Sequence, residues 1–290
     1  MNSTQFYQYI DSRLANLASF YGIKNLVKYY SLTDFQTREI SSLSGVPQAF
    51  AQFVLHAQNG TKIMEIVRFF DNFGFLKKKL FGFEPKTFLS KYGYQDEGDR
   101  KAAVTKIVNA LRYSASNPQG LRWSTNKSKK PDSKVSVFAN SLIDGAIYFS
   151  AFTSRKEIFN DLSSHYVNGD YKALIKYVMR KFAHGFRVAL SCDFLKEFDT
   201  KFDLPKPDKH LVDVLAKFKG KEPDCYKGTD KKAFEFIQDF LNLVNDIKKT
   251  DPTITAYKLD RQIWLCCTGK FFLDQRSNGN LKAGFLAGIN

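Results

Sequence analysis

A very short turn around Gly185 has features that favour phosphate binding. It separates two helices that apolar spacing predicts over 171–183 and 187–198. Backbone N–H groups at the start of the second helix have no carbonyl partner within that helix, so they attract an anion. Lys181 and Arg187 add positive charge on either side of the turn. We therefore predict that the turn binds phosphate.

Asp208 is a second residue whose position is compatible with a catalytic role. Pro205 and Pro207 stiffen an extended connection that leads into a helix predicted over 208–218, and Asp208 stands at its start. Asp is a favoured N-cap, worth about 1 kcal/mol to a helix. Position alone favours the cap, and a chemical role for the carboxylate needs further context.

These residues lie in a chain whose apolar residues recur at three- and four-residue steps nearly throughout, which predicts an all-α fold. In the N-terminal part, with Gly22, Gly45 and Gly60 as breaks, the predicted helical segments are 6–30, 34–43, 47–59 and 61–73. A basic, aromatic stretch opens at 77–79, and a glycine-rich tail opens at Gly279. The later predicted helices are 135–151, 171–183, 187–198, 208–218, 230–248 and 256–267.

A polar, basic segment over 112–134, rich in Ser, Asn and Pro, is the clearest linker. We expect it to end an N-terminal helical lobe, 1–130, and to be followed by a catalytic core, 131–290. The segment is either a solvated loop or a DNA contact. Its candidate phosphate-binding residues are Arg122, Trp123, Lys127, Lys129 and Lys130.

Two polar residues, Asn140 and Asp144, interrupt the apolar run of the predicted helix 135–151. A buried amide or carboxylate costs roughly several kcal/mol unless it is hydrogen-bonded. Two roles therefore stay open for these side chains. They either face a cavity or tie the helix to a neighbouring backbone.

Composition favours a folded protein with a polyanionic partner. The 290 residues are 43% hydrophobic and 25% charged, which is enough to bury a core. Lys and Arg number 44 against 29 acidic residues, and the net charge of +15 makes nucleic acid the leading partner, although many basic proteins bind no DNA. No run of roughly 18 to 20 apolar residues could span a bilayer, and the N-terminus lacks a signal-peptide pattern. We expect a cytoplasmic protein without a membrane partner.

The four cysteines do not have the spacing of a zinc site or an iron-sulfur loop. They are Cys192, Cys225, Cys266 and Cys267. Because free Cys packs as a small hydrophobe, we predict buried free thiols. We expect no metal and no cofactor.

Two segments resemble motifs of the helix-hairpin-helix DNA glycosylase superfamily, namely His184-Gly185-Phe186-Arg187 and Pro207-Asp208-Lys209-His210-Leu211. The family pattern is a Gly-x-Gly hairpin, a helix, and then Val-Asp-Thr-His-Val. The resemblance covers 176–218 and, more loosely, everything from Val135 onward. It implies a two-lobed, glycosylase-like helix-hairpin-helix fold with an N-terminal helical extension.

By this resemblance Asp208 is the catalytic carboxylate. An ionised carboxylate stabilises the positive charge that develops on the sugar as a base leaves, and it orients or deprotonates the attacking water. The target nucleotide must be flipped out of the duplex, and a wedge then fills the gap. Phe152 is the wedge candidate, with a plain core residue as the alternative. The implied DNA-binding residues are Lys181, His184, Gly185, Arg187, Lys206, Lys209 and His210.

Arg187 departs from the bifunctional members of the family, which carry a lysine in the second hairpin helix that attacks the sugar. Arginine stays protonated and cannot form a Schiff base. The resemblance therefore implies a monofunctional N-glycosylase that leaves an intact abasic site. The iron-sulfur cysteines of some members are also missing.

A second resemblance narrows the branch, since four segments look like a phage-associated offshoot of the superfamily: NSLIDGAIYFSAF, CDFLKEF, KPDKHLVDVL and YKLDRQIWLCCTGKF. That offshoot includes α-glutamyl/putrescinyl thymine pyrophosphorylase domains and antiphage glycosylases. Its substrates are hypermodified pyrimidines, including glucosylated hydroxymethylcytosine. The implied base pocket contains Asn140, Asp144, Tyr148, Lys258, Asp260 and Trp264. Core packing is the alternative for Tyr148 and Trp264, and a pair with Arg261 or a helix end is the alternative for Asp260.

The implied function is excision of a hypermodified pyrimidine from phage DNA in antiphage defence. Two alternatives stay open. One is a pyrophosphorylase-type enzyme that modifies an activated hydroxymethyl-pyrimidine in DNA, and the other is a non-catalytic DNA-binding module. The expected partner is double-stranded DNA with modified bases, with no obligatory protein partner.

Overall fold

The computed structural model describes residues 1–30, 39–57, 69, 71–121, 132–271, 276–277 and 281–289. These residues are mostly helical with almost no strand, so the all-α prediction is confirmed. No single helix among them is long and apolar enough to cross a membrane. One pair, Val135–Ser150 with Arg155–Ser164, reaches that length and composition only together and is bent by 99°.

The α-helices of the described residues are numbered here in chain order. They are α1 (Ser3–Tyr21), α2 (Gly45–His56), α3 (Phe73–Lys79), α4 (Pro85–Tyr92), α5 (Arg100–Leu111), α6 (Asp132–Ser150), α7 (Arg155–Ser164), α8 (Tyr171–Lys181), α9 (Val188–Phe198), α10 (Lys209–Phe218), α11 (Asp230–Ile247), α12 (Ala256–Thr268) and α13 (Lys282–Ala287). Short 3-10 helices occupy Val27–Tyr29, Glu39–Ser42, Phe81–Phe83, Glu97–Asp99, Val167–Gly169 and Pro223–Tyr226. The strands β1 (Lys270–Phe271) and β2 (Arg276–Ser277) pair antiparallel, with Lys270 opposite Ser277.

Apolar periodicity located the later helices well, since α6 and α8 to α12 each match a predicted helix within a few residues. In the predicted segment 6–30, α1 ends at Tyr21, and Gly22 caps it in the left-handed conformation with φ 66°. The predicted segment 47–59 is confirmed as α2 as far as His56. The glycine-rich tail contains α13, which was not predicted.

Other predictions fall wholly or partly outside the described residues. They concern 34–38 and 61–68, which belong to two predicted helices, and 122–131 of the predicted linker. Besides α13, four helices were not predicted, namely α3, α4, α5 and α7. Three of these are short, with 7, 8 and 10 residues, so each offers few turns over which a period can show.

Contacts divide the chain into two compact units. The first unit consists of Met1–Gln36 and Leu195–Asn290, and the second is Thr37–Phe194. The predicted division at 130/131 falls inside the second unit. The two divisions differ because the first unit combines both ends of the chain, which a composition change along the sequence does not reveal.

In the first unit, α1 packs against α11 and α12, and α10 and α13 also pack against α12. The apolar stripe of α1 buries Phe6, Ile10 and Leu14 completely or nearly so. The ring of Phe6 lies 4.6 Å from that of Phe218 at the end of α10. The helix α12 is therefore the element that the other helices of this unit share.

In the second unit, α6 packs against α2, α4 and α5, and its core is rich in phenylalanine. Phe53 of α2 stacks on Phe186, with centroids 4.9 Å apart and planes 8° apart, and lies 4.5 Å from Phe182. Gly145 of α6 allows this packing, because a Cβ there would lie 2.3 Å from Cε1 of Phe53. The glycine that interrupts this apolar helix thus has a packing reason.

The turn between α8 and α9 also depends on a glycine. A Cβ on Gly185 would lie 1.9 Å from Oγ of Ser141, a residue of α6 whose hydroxyl donates to the carbonyl of Val137 at 2.9 Å. Gly185 is buried and its φ is not positive, so the restriction is one of space rather than backbone strain. The turn therefore rests directly on α6.

Replacing Gly185→Ala should lower the free energy of unfolding by about 1–3 kcal/mol, because the added methyl group overpacks the contact with Ser141. Urea unfolding of the variant measures this change. The double variant Gly185→Ala/Ser141→Ala should recover part of the loss because it removes Oγ. Gly74→Ala is the matched control, since Gly74 is exposed in α3 with nothing within 4 Å of its Cβ. Unchanged stability of the Gly185→Ala protein would contradict this packing.

Candidate functional site

Asp208 is the N-cap of α10, as its position after the two prolines predicted. Its backbone is extended, with φ −92° and ψ 170°. Its Oδ1 accepts hydrogen bonds from the backbone N–H groups of His210 at 2.7 Å and Leu211 at 3.1 Å. Two of the otherwise unpaired N–H groups of the first turn are thereby satisfied. The carboxylate is consequently held in one orientation.

The second oxygen of Asp208, Oδ2, accepts no hydrogen bond from any residue that the structure describes. The side chain is half-buried rather than enclosed. One oxygen therefore serves the helix, and the other remains available to accept a proton or to face a positive charge. The cap and a chemical role are compatible in this geometry.

The connection that delivers Asp208 is tied to α12 at two points. Asp203 accepts from the backbone N–H groups of Ala256 at 2.9 Å and Tyr257 at 2.8 Å, so it caps α12. In return, Oδ2 of Asp260 in α12 accepts from the backbone N–H of Lys206 at 2.8 Å. These reciprocal bonds fix the backbone only two residues before Asp208.

Asp260, predicted to line the base pocket, lies in the core of the first unit and is 3% exposed. Its Oδ2 lies 2.8 Å from Nζ of Lys196, which is equally buried. Arg261, the partner expected as an alternative, pairs with Glu197, although its charge also acts on Asp260. A buried carboxylate needs such partners, since an unpaired charge in the core costs far more than a hydrogen bond returns.

His210 is the histidine of the Asp-x-His motif and lies half-buried at the start of α10. Burial lowers its pKa below the ordinary value of 6.5, and Lys282 and Lys209 lower it further, while Asp208 and Asp213 oppose them. Its Nδ1 is buried and has no hydrogen-bond partner among the described residues. The imidazole beside Asp208 is therefore held neutral.

Three charged residues that sequence reasoning missed gather beside this helix start. Nζ of Lys282, from α13, donates to the carbonyl oxygen of Lys209 at 2.9 Å and also pairs with Asp213. Lys227 pairs with Asp213 at 2.9 Å. These partners come from distant parts of the chain, so no local spacing could have paired them.

The N–H groups of the predicted phosphate-binding turn are largely satisfied inside the chain. The N–H of His184 donates to Oδ2 of Asp144 at 2.9 Å. Those of Gly185 and Phe186 donate to the carbonyl oxygen of Phe182 at 3.3 and 3.0 Å. An anion therefore cannot use these three N–H groups, because an internal carboxylate and a carbonyl already accept from them. The prediction concerned the N–H groups at the start of α9, which these bonds do not test.

The side chains around the turn are nevertheless open to solvent. Lys181, His184 and Arg187 are all exposed, whereas Gly185 is buried against α6. An anion that approaches the turn would therefore meet the cations of Lys181 and Arg187 before it met the backbone. Phosphate binding by Lys181, His184 and Arg187 stays a prediction.

A cavity of about 640 Å³ lies in the second unit. Five of the predicted site residues line it together: Asp144, Tyr148, Phe152, Lys181 and His184. Its other lining residues are Glu97, Arg100, Ile147, Ala151, Asp161, Tyr177, Arg180 and Ala183. The cavity thus combines aromatic rings with ionisable groups of both signs.

Asp144 fulfils both roles left open for it, since it lines the cavity and also ties α6 to a neighbouring backbone. Its carboxylate lies 3.0 Å from Nη1 of Arg100 and 2.9 Å from Nδ1 of His184, in addition to the N–H of His184. One turn earlier on α6, Asn140 donates from Nδ2 to the carbonyl oxygen of Ser136 at 2.8 Å. Asp144 is therefore a fixed, charge-compensated wall of the cavity.

A second carboxylate in the cavity lining, that of Asp161, is bound by two tyrosines. The hydroxyl groups of Tyr148 and Tyr177 both donate to its Oδ2 at 2.7 Å. Burial raises the pKa of both tyrosines, and the hydrogen bond to Asp161 raises it further. Both hydroxyls therefore stay protonated as donors, and Tyr148 is fixed at the cavity by its own partner. Phe152, half-buried, meets the ring of Tyr148 edge-on at 5.1 Å.

The remaining predicted residues belong to the first unit. Lys258 and Trp264 lie on α12 and are half-buried, with Lys258 3.3 Å from Asp251. Lys206 and Lys209 lie close to Asp208 along the chain. Lys209 is exposed and Lys206 is half-buried. The predicted set is therefore divided between the two units.

All four cysteines are free, as predicted. Cys192, Cys266 and Cys267 are buried, while Cys225 is only half-buried. Burial raises the pKa of the Cys267 thiol to about 12. Within the described ranges, no group of three or more His, Cys, Asp or Glu side chains has the arrangement of a metal site.

Comparison of this chain with protein-family models, with curated proteins and with solved structures finds no match. The likeness of 176–218 to the glycosylase superfamily therefore stays a resemblance between motifs. A function for the chain has to be built from its residues and their geometry.

The buried state of His210 predicts a dependence of stability on pH. The unfolded chain takes up a proton on this residue near pH 6.5, but the folded chain does so only at lower pH. Protonation therefore favours unfolding, and stability should fall as the pH drops below about 6.5. The urea midpoint at about pH 7.5 and at about pH 5.5 measures this fall.

The His210→Gln variant isolates the effect from the other three histidines. It should lose less stability between the two pH values than the wild-type protein does. An equal loss in both proteins would contradict a neutral, buried His210.

Proposed function

We propose that this chain is a monofunctional DNA N-glycosylase. It flips out and excises a hypermodified pyrimidine from phage DNA, foremost α-glucosyl-hydroxymethylcytosine, and leaves an abasic site as part of antiphage defence. Asp208 is its catalytic carboxylate. The proposal rests on one observation, which is that the two oxygens of this carboxylate differ. Oδ1 accepts hydrogen bonds from two backbone N–H groups, whereas Oδ2 accepts none from the described residues.

Cleavage of the glycosidic bond requires a carboxylate that is held in a fixed orientation. As the bond between the base and C1′ of the sugar breaks, the electron pair leaves with the base and positive charge develops on the sugar. A fixed anion stabilises that charge without having to reorganise at the moment of reaction. Water then adds its oxygen to C1′, and Oδ2 of Asp208 accepts the proton that the water loses.

The surroundings of Asp208 suit a carboxylate that works on a polyanion. The two N–H groups at the start of α10 stabilise negative charge, as does the positive end of the helix dipole. Lys209, the next residue, is exposed, and the chain as a whole carries a net charge of +15. DNA is therefore attracted to the protein as a whole by long-range electrostatics.

The absence of lyase activity is part of the proposal. Arg187, at the position of the lysine of bifunctional enzymes, cannot form a Schiff base because its guanidinium stays protonated. The helix α13 brings the amine of Lys282 to the start of α10, where Asp213 and the carbonyl of Lys209 hold it. An ion-paired ammonium is a poor nucleophile, so water is the attacking group.

The base specificity rests on the second sequence resemblance. The alternative of a pyrophosphorylase-type enzyme shares a flipped pyrimidine but keeps the glycosidic bond intact. The two reactions therefore differ in whether a free base appears. No feature of the described residues favours the alternative.

The protein should release a free modified base from DNA that contains glucosylated hydroxymethylcytosine. DNA with unglucosylated hydroxymethylcytosine and ordinary DNA serve as matched substrates and should release little or none. Mass spectrometry of the released bases and strand analysis before and after alkali provide the two readouts. Strand breaks should appear only after alkali, since an intact abasic site is alkali-labile.

Two results would contradict the proposal. Strand cleavage before alkali would show a lyase, and the assignment of water as the attacking group would then be wrong. No released base, together with a mass change of the DNA when an amine is supplied, would replace the glycosylase by the pyrophosphorylase-type enzyme.

A further inference from the structure

The cavity of the second unit is not used by any step of the proposed glycosylase chemistry, since Asp208 lies in the first unit. Its volume of about 640 Å³ falls within the range of about 300 to 1,000 Å³ that is usual for small-molecule sites. Residues of four consecutive helices, α5 to α8, contribute to its lining. A small molecule would therefore be held by regular, packed elements.

Most carboxylate oxygens of this lining are already bound within the chain. Both oxygens of Asp144 are taken by Arg100 and His184. Both oxygens of Glu97 accept from Arg100. Asp161 differs, because its Oδ2 accepts from two tyrosines while its Oδ1 accepts no hydrogen bond from the described residues. Among the described lining residues, Oδ1 of Asp161 is thus left to accept from a ligand.

Two cations of the lining have no carboxylate partner among the described residues, namely Arg180 and Lys181. Both are exposed, and Nζ of Lys181 lies 5.3 Å from the ring centroid of Tyr177. The dipole of α8 favours cations in its last turn, and both remain able to bind an anion. A guanidinium and an ammonium next to each other in the chain are suited to a group with several charged oxygens, such as phosphate.

His184 adds a third polar group to the same lining. Its Nδ1 is held by Asp144 at 2.9 Å, and its side chain is 45% exposed. The imidazole is therefore oriented, with Nε2 left for a partner from outside the chain. Nε2 accepts from the P–OH group of a phosphate monoanion, or donates to the dianion when the ring is protonated.

The lining also offers apolar and aromatic surface. Ile147 is 38% exposed although it is a large apolar residue. Phe152 is half-buried and meets the ring of Tyr148 edge-on at 5.1 Å. Tyr148 is itself fixed by its hydrogen bond to Asp161. An aromatic ring that rests on a fixed neighbour is suited to stacking with a planar ring of a ligand.

We propose that this cavity binds a nucleoside monophosphate, either free or at the 5′ end of a DNA strand. Arg180 and Lys181 bind the phosphate, and Phe152 stacks on the base. Oδ1 of Asp161 accepts from a sugar hydroxyl or from an exocyclic amino group of the base. None of these contacts involves Asp208 or requires glycosylase activity.

A simple inorganic anion fits the cavity less well than a nucleotide does. It would use the two cations but would leave the apolar surface of Ile147 and Phe152 in contact with water. It would also offer no ring to Phe152. A nucleoside without phosphate has the opposite defect, since it leaves Arg180 and Lys181 without an anion.

Isothermal titration calorimetry of the purified protein tests both halves of the ligand. The probes are deoxycytidine monophosphate, deoxycytidine and inorganic phosphate. The nucleotide should bind at least about 10-fold more tightly than either of the others, because charged hydrogen bonds and ring stacking each contribute to its affinity. Equal binding of either smaller probe would overturn the proposal, as would the absence of nucleotide binding at millimolar concentration.

Two variants assign the contacts. Arg180→Gln/Lys181→Gln should weaken binding of the nucleotide by about 10-fold or more and leave binding of deoxycytidine unchanged, because only the phosphate loses its partners. Phe152→Ala should weaken binding of both by about 5-fold or more, because both carry the ring that stacks. Unchanged affinity of the nucleotide for either variant would overturn the proposal.

A matched control removes the same charge elsewhere in the second unit. Lys101 and Lys156 are exposed and lie outside the cavity lining. The variant Lys101→Gln/Lys156→Gln should change the affinity for the nucleotide by less than about 2-fold, because salt screens distant exposed charges. A loss equal to that of Arg180→Gln/Lys181→Gln would overturn the proposal, since net charge alone would then explain the binding.

A 5′-phosphorylated oligonucleotide and its 5′-hydroxyl form distinguish the two sources of the nucleotide. Tighter binding of the phosphorylated form, lost in Arg180→Gln/Lys181→Gln, supports a strand end in the cavity, whereas equal binding of both forms supports the free nucleotide. Asp208→Asn should bind deoxycytidine monophosphate as the wild type does, and loss of binding there would overturn the cavity as the site. Because no base release is measured, failure of the glycosylase proposal would leave these outcomes unchanged.

Discussion

The buried carboxylate of Asp260 holds together the part of the first unit that positions Asp208, the candidate catalytic residue. It pairs with Lys196 of α9 and accepts the backbone N–H of Lys206, so one side chain joins α9, α12 and the extended connection. Asp203 completes the arrangement by capping α12 from the same connection. Pro207 and Asp208 follow at once, and the orientation of the candidate catalytic carboxylate thus depends on an ion pair within the core.

Charge is arranged in opposite ways inside and outside the two units. The buried and half-buried carboxylates have donors of their own, as Asp144 has in Arg100 and His184 and Asp161 has in two tyrosines. The cationic side chains of α8, by contrast, are exposed to solvent: Lys172, Lys176, Arg180 and Lys181. Internal acids therefore build the local structure, while these cations lie at the surface. Asp208 is intermediate, since its Oδ1 accepts hydrogen bonds from the chain and its Oδ2 accepts none from the described residues.

Local rules account for what could be predicted from the sequence. Apolar periodicity located α8 to α12, and two prolines before an Asp located the N-cap at Asp208, because both signals act within a few residues. The residues that complete the site pair over long distances in sequence. Asp144 and His184 are 40 residues apart, Lys196 and Asp260 are 64 apart, and Asp213 and Lys282 are 69 apart. Such pairs leave no local pattern, which is why Asp260 was expected at a pocket and Lys282 was not expected at all.

The central claim is that Oδ2 of Asp208 takes part in breaking the glycosidic bond. Its most direct test is the single-turnover rate of base release from DNA with glucosylated hydroxymethylcytosine, compared between the wild type and Asp208→Asn. Asn caps a helix about as well as Asp, so the variant should stay folded and should keep its affinity for DNA. The account predicts that base release falls by about 100-fold or more, because the neutral amide neither stabilises the developing charge nor accepts a proton. Release at the wild-type rate would contradict it.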